Sequence, residues 1–89
     1  MAYAWEDISI ASATGASELI VAAGSNRARV QLTNPHGTNV WWINETGGTA
    51  AANAAGCRPI PALETITCEG GNAITGIATA TTPLTVLKQ

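Results

Sequence analysis

The sequence predicts an all-β protein: a small antiparallel β-sandwich or jelly-roll-like barrel of about seven to eight short strands. Three observations carry this prediction. β-branched residues abound while helix signals are nearly absent. Turn dipeptides return about every eight to twelve residues, the rhythm of a sandwich or barrel. The stretch RARVQLTN alternates apolar and polar residues at the strand period.

Taken in order, DISIAS is the first strand, with Ile8 and Ile10 on one face and Asp7, Ser9 and Ser12 around them; ATGAS ends it. SELIVAA, from Ser17 to Ala23, is the second, and GSN turns the chain into the third, RARVQLTN. There Ala28, Val30 and Leu32 point one way while Arg27, Arg29, Gln31 and Thr33 point the other, so one face packs and the other is wetted. NPHG, Asn34 to Gly37, reads as a reverse turn because Pro35 presets φ at the second position and glycine closes it. The third strand and the fourth, VWWIN, are therefore expected to form a hairpin around Asn34 to Asn39.

ETGGTAAANAAG is rich in the best helix former, with Thr49 as a cap and Gly56 as a stop, yet it is too short to nucleate a helix alone. Its leading glycines favour a loop with at most a single turn. CRPI and ETITC follow as short strands. Pro59 and Pro61 lack the N–H that a central ladder needs, which makes CRPIP an edge strand or a bulged lead-in. A hairpin closing at Ala62-Leu63 would set Cys57 opposite Cys68, so a cross-strand disulfide is geometrically allowed. Two small buried thiols are the alternative in a reducing cytosol. EGGN turns the chain into AITGIATA, and Pro83 opens the last strand, LTVLKQ. No fixed-period repeat or linker divides the chain, so residues 1–89 are expected to form one domain, with 1–6 as an N-terminal arm.

A chain of 89 residues hides only about 60–65% of the surface its unfolded form exposes. Alanine supplies 17 of its apolar residues, as many as Val, Ile and Leu together, so the core must be small. Charged residues make up 11%, against about 25% in a typical soluble domain. A surface of Thr, Ser, Asn, Ala and Gly is expected where much of the outside meets other protein; an uncharged, free-standing secreted domain is the alternative. With a net charge of −2 and four scattered cations there is no basic stripe for nucleic acid. No stretch is long and apolar enough for a membrane helix, and MAYAWEDISI lacks the basic start and apolar run of a signal peptide. The chain is expected to be made in the cytosol and to stay soluble.

Catalytic patterns are missing. His36 lies in a turn, where solvent exposure is expected, and nothing pairs it with Cys57 as base and nucleophile. Cys57, Cys68 and His36 lack the spacing of a metal set, so no metal is expected. Glu64 and Glu69 fall at opposite ends of one strand, too far apart for a paired-carboxylate hydrolase. GGTAAANAAG has no lysine and is no phosphate loop. The Asn44-Glu45-Thr46 triplet matches a glycosylation sequon but reads as a strand end and turn. An enzyme or a cofactor is not expected.

The adjacent tryptophans are the informative feature. Neighbours in a strand point to opposite faces, so Trp41, with Ile43, and Trp42, with Val40, make both faces of the fourth strand apolar. Trp41 is expected in the core and Trp42 outside. Trp42 either anchors a partner or is covered by the protein's own loops or N-terminal segment, with Trp5 or Tyr3 against it. Trp5, in an arm of small residues, invites docking on a neighbour. Trp5, Tyr3, Val40 and Trp42 are the candidate partner-binding residues.

The motif order RVQLTNP, NVWWIN, GGTAAANAAG, RPIPALETIT and AITGIATA, spanning Arg27 to Leu87, resembles the small all-β virion proteins of tailed bacteriophages. In these a strand ending in Asn-Pro leads to an aromatic strand, a glycine-rich loop, an Ile-Pro turn and an Ile-Thr-Gly strand. Here Leu63-Glu64 follows Pro61 after one residue, a shorter turn than the form with a second proline and glycine. The resemblance implies a capsid decoration (cement) protein that binds major capsid protein on the virion surface after synthesis in the host cytoplasm; such proteins bind as trimers or monomers, and a homo-oligomer, with a trimer favoured, is expected for this chain. A head-tail or tail fitting protein is the alternative within the same group. From a different class, a carbohydrate-binding module would stack Trp41 or Trp42 on sugar rings, flanked by Asn39, Asn44 and Glu45.

Overall fold

The structure, a computed structural model, describes residues 5–24 and 29–89. It has no helix in that range and eight strands: β1 Glu6–Asp7, β2 Glu18–Val21, β3 Arg29–Thr33, β4 Trp41–Asn44, β5 Cys57–Ile60, β6 Thr65–Glu69, β7 Ile74–Ile77 and β8 Thr85–Lys88. They form two antiparallel four-stranded sheets in the orders β1-β8-β3-β6 and β2-β7-β4-β5. The expected all-β sandwich is what the chain adopts, and these two orders are those of a jelly roll.

The alternation read in the third strand holds over its described part. Val30 and Leu32 are fully buried, while Gln31 and Thr33 on the other face are partly exposed. Ile74 and Gly76 likewise face inward along β7, as do Ala78 just beyond its end and Val86 on β8. With Ile20, Val21, Trp41, Ile43, Ile60, Cys68 and Leu84 they close one core between the sheets. In β2 the register slips between Leu19 and Val21, and this bulge turns the consecutive Ile20 and Val21 both inward. Ile8 and Ile10 extend the first strand along β8 through N–H bonds to the carbonyls of Val86 and Leu84, at 2.9 and 2.8 Å.

Trp41 dictates the composition around it. Its indole fills the centre of the core and its Nε1 donates to the Pro83 carbonyl at 2.9 Å. The ring fits because Gly76 lies beneath it: a Cβ there would come within 2.4 Å of Ile20 Cδ1, 3.0 Å of Ile43 Cδ1 and 3.2 Å of Trp41 Cε3.

Two expectations are corrected. β3 and β4 do not form a hairpin: β3 pairs with β6 and β8, β4 with β5 and β7, and residues 34–40 carry the chain from one sheet to the other. β5 and β6 do not pair either; the turn at Ala62-Leu63 is present, but it too crosses between sheets. Cys57 therefore lies opposite Asn44 and Cys68 opposite Val30, and both thiols are free. The physical reason is the same in both places. A short link turns back as easily across the roughly 10 Å between stacked sheets as along one sheet, and crossing lets both strands bury an apolar face. Only β4 and β5 are sequence neighbours paired in one sheet. The expectation from the prolines holds, since β5 with Pro59 is an edge strand and the ladder of β8 begins after Pro83.

Candidate functional site

The outer face of the β2-β7-β4-β5 sheet carries a groove of about 470 Å³ lined by Gly15, Thr38, Asn39, Val40, Trp42, Ala52, Ile77, Ala78 and Thr79. Trp42 and Ile77 are direct cross-strand partners, so their side chains stand side by side, and Val40 lies two residues along on the same face. The walls come from the connections. Thr38 and Asn39 belong to the β3–β4 crossing, Ala78 and Thr79 to the β7–β8 crossing, Gly15 to the β1–β2 loop and Ala52 to the long β4–β5 loop.

Two of the walls are fixed by hydrogen bonds that begin at a buried asparagine. Asn34 is fully buried: its Nδ2 donates to the carbonyls of Asn39 (2.7 Å) and Ile60 (2.9 Å), and its Oδ1 accepts from His36 N at 3.1 Å. His36, expected to be exposed, is half-buried, and its Nδ1 accepts from the backbone N–H groups of Asn39 (2.9 Å) and Thr38 (3.1 Å). Asn39 Nδ2 then donates to Thr82 Oγ1 at 2.9 Å. The β3–β4 crossing is thus held at every turn by side chains, so Thr38 and Asn39 are presented rigidly.

The long loop is tied down in a similar way. Asn44, almost fully buried, accepts from Thr46 N–H at 2.8 Å and donates to the Thr49 carbonyl at 3.4 Å, an Asx turn that folds the loop back on the sheet. Thr75 Oγ1 donates to Gly48 O at 2.6 Å and Ala50 N to Ser17 Oγ at 2.9 Å; Ala50 is buried and Ala52 lines the groove with Trp42. With its amide so engaged, Asn44 is closed as a glycosylation acceptor.

The candidate residues separate. Val40 and Trp42 meet in the groove, where both are half-buried. Trp42 is neither fully displayed nor sealed, and Ala52 of the alanine-rich loop lines the same groove. Trp5 is 41% exposed and precedes β1 in the other sheet, where Glu6 faces Lys88, so it is not part of the groove. Tyr3 lies outside the described residues, as do residues 1–4 of the predicted arm, and Glu6 already belongs to β1. Of the residues suggested for sugar contact, Trp42 and Asn39 reach the groove, whereas Trp41 and Asn44 are buried and Glu45 is engaged by Arg58.

A second cluster closes the sandwich at its β5/β6 edge. Arg58 binds both oxygens of Glu45, one through Nε and the other through an N–H of its terminal nitrogen at 3.1 Å, and reaches across to the Thr67 carbonyl at 3.2 Å and Cys68 Sγ at 3.8 Å. Burial, reinforced by the Glu45 carboxylate, pushes the Cys68 thiol up to about 11. At the opposite edge, bonds from the Ser9 hydroxyl and N–H hold the Asp7 carboxyl below its usual range. The groove lining contains no ionisable side chain, and among the described residues no three His, Cys, Asp or Glu cluster as metal ligands. Chemically the groove offers an apolar, aromatic floor with an amide and threonine hydroxyls at its rim, suited to burying a neutral surface rather than to moving protons.

Trp42, Val40 and Asn39 are legible in the sequence as candidates, whereas Ile77, Ala52 and Thr79 join them only through strand register and loop fold-back. Comparison with protein-family models, curated proteins and solved structures finds no significant match for this chain.

Proposed function

We propose that this protein is a structural virion protein of a bacteriophage, a decoration protein that binds major capsid protein and works by burying surface rather than by chemistry. One observation carries the reading: large apolar side chains stand on the outside of a molecule with few charges, Trp5 at 41%, Leu19 at 60% and Leu63 at 71% exposure, besides the Trp42 groove. In a free monomer such groups gain nothing, whereas at an interface of about 800 Å² per partner they supply the anchors. The motif order from Arg27 to Leu87 supports the phage assignment, and the jelly-roll frame is compatible with it by analogy of fold alone.

Titration of the purified protein onto undecorated heads tests the reading. Saturable binding is expected, with Trp5→Ala or Trp42→Ala weakening it by roughly 30-fold, the loss of a hot-spot side chain worth about 2 kcal/mol. Binding unchanged in both variants would remove the proposed anchors, and no binding to heads would remove the decoration role. The aromatic floor beside Asn39, Thr38 and Thr79 favours a saccharide as the second reading. Quenching of tryptophan fluorescence by neutral oligosaccharides, with no head binding, would select it.

A further inference from the structure

We propose that Arg58 is an edge guard: its guanidinium, held by Glu45, occupies the place on β6 where a strand of another chain would pair, and so keeps this end of the sandwich from joining strand to strand.

β6 needs such protection. Among the described residues it ends its sheet, with β3 on one side and no strand on the other. It is five residues long, and its run Thr65-Ile66-Thr67 is β-branched, uncharged and free of proline. These are the properties of an edge that recruits another strand. Register decides which of its backbone groups face outward. Asn34 N–H bonds to Glu64 O at 3.0 Å, which makes Asn34 and Glu64 a hydrogen-bonded pair at the end of the β3–β6 ladder. Such pairs alternate along an antiparallel ladder, so Leu32 with Ile66 and Val30 with Cys68 are bonded pairs too. Thr65, Thr67 and Glu69 then turn their N–H and C=O groups to the far side, with Thr67 in the middle.

Arg58 closes that side from the other sheet. In β5 it shares a face with Ile60, two residues on, which is fully buried like its partner Trp41. Arg58 therefore leaves β5 on the inward face, at the open end of the sandwich, where a charge cannot enter the core. Its terminal nitrogen donates to Thr67 O at 3.2 Å, the bond that an incoming strand's N–H would make. Glu45 receives Nε and the terminal nitrogen together, a two-point contact that fixes the plane of the fork. A strand approaching β6 would meet a carbonyl already bonded and a charge that it would have to strip of water. β5 is closed by other means, since Pro59 has no N–H and that of Cys57 bonds to Ala54 O at 3.2 Å. Both edges at this end are thus shut.

Sedimentation velocity of purified variants tests this without capsids, so its failure is distinct from failure to bind heads. Arg58→Met keeps an unbranched stem beside Cys68 but neither the charge nor the donor. It should form particles of about twice the wild-type mass or more at equal concentration, because a second copy is then free to pair with β6. Arg58→Lys, which keeps a cation at the edge, should match wild type. Thr67→Pro removes the outward N–H and spares the ladder to β3, so alone it should leave mass and far-ultraviolet circular dichroism unchanged. Added to Arg58→Met, it should return the particle to wild-type mass. That rescue separates strand pairing from misfolding, because a chain that associates through loss of structure would still associate with a proline added. Unchanged mass in Arg58→Met, equal association of Arg58→Lys, or association that persists in the double variant would overturn the proposal. So would loss of the folded spectrum in Thr67→Pro, which would mean that the Thr67 N–H faces β3.

Discussion

The side-chain amide of Asn34 makes three hydrogen bonds in a site closed to solvent, and its backbone N–H and C=O make two more to Glu64 and Leu63. These bonds fix both the crossing from β3 to β4 and the crossing from β5 to β6. Removing the amide leaves the buried Ile60 carbonyl unpaired, at a cost of about 1–3 kcal/mol, and releases the Asn39 carbonyl and the His36 N–H, whose part-buried positions admit water and so cost less. Asn34→Ala is therefore expected to lose about 2–4 kcal/mol in denaturant unfolding. A loss below 1 kcal/mol would show that water substitutes for the amide and that the hub is dispensable. In the sequence Asn34 looked like any turn residue before a proline. Its Asn-Pro context signals the turn, but its burial follows from Ile60, 26 positions away, offering a carbonyl to it.

At the scale of elements, the exposed edges show how the sandwich ends. β5 carries Pro59 and β1 is only two residues long, both ordinary ways to blunt an edge against pairing with another chain. Between β5 and β6 the Arg58 fork to Glu45 and Thr67 bridges the two sheets above Cys68. Because the folded protein raises the Cys68 thiol from 9.0 to about 11, the unfolded chain ionises first as pH rises. The stabilising effect is complete below about pH 9 and is lost as pH climbs through about 11. Stability followed by denaturant titration should decline across that window in the wild type and less steeply in Cys68→Ala; parallel profiles would mean that the thiol ionises alike in both states. The edge position of β5 was legible from its prolines, whereas the Arg58 bridge was not, because it joins strands that the sequence appeared to place side by side.

For the whole molecule, topology governs behaviour. Six of the seven connections between successive strands cross from one sheet to the other, and only β4 to β5 returns within its own sheet. Contacts made by such a chain are distant in sequence, and loop closure must come before their reward. Refolding followed by tryptophan fluorescence, as Trp41 becomes buried, is therefore expected in milliseconds to seconds, the range of β-sandwiches. Complete refolding within microseconds would contradict a mechanism limited by non-local pairing.

The division between what the sequence alone determined and what needed the tertiary structure follows from range. Alternation over four or five residues marked the strands, placed Val30, Leu32, Trp41 and Ile43 inside, and sent Trp42 to the other face, because strand geometry makes facing a local property. Missing N–H groups sent Pro59 to an edge for an equally local reason. Pairing is not local. A four-residue link can span roughly 13–14 Å, enough to return along one sheet or to cross the gap of about 10 Å to the next. The choice was made by the joint burial of both apolar layers around Trp41, with Gly76 making room and Asn34 satisfying the backbone at the crossings. That same choice assembled the Trp42 groove from four separate connections, and so it was the tertiary structure that turned a tryptophan doublet into a site.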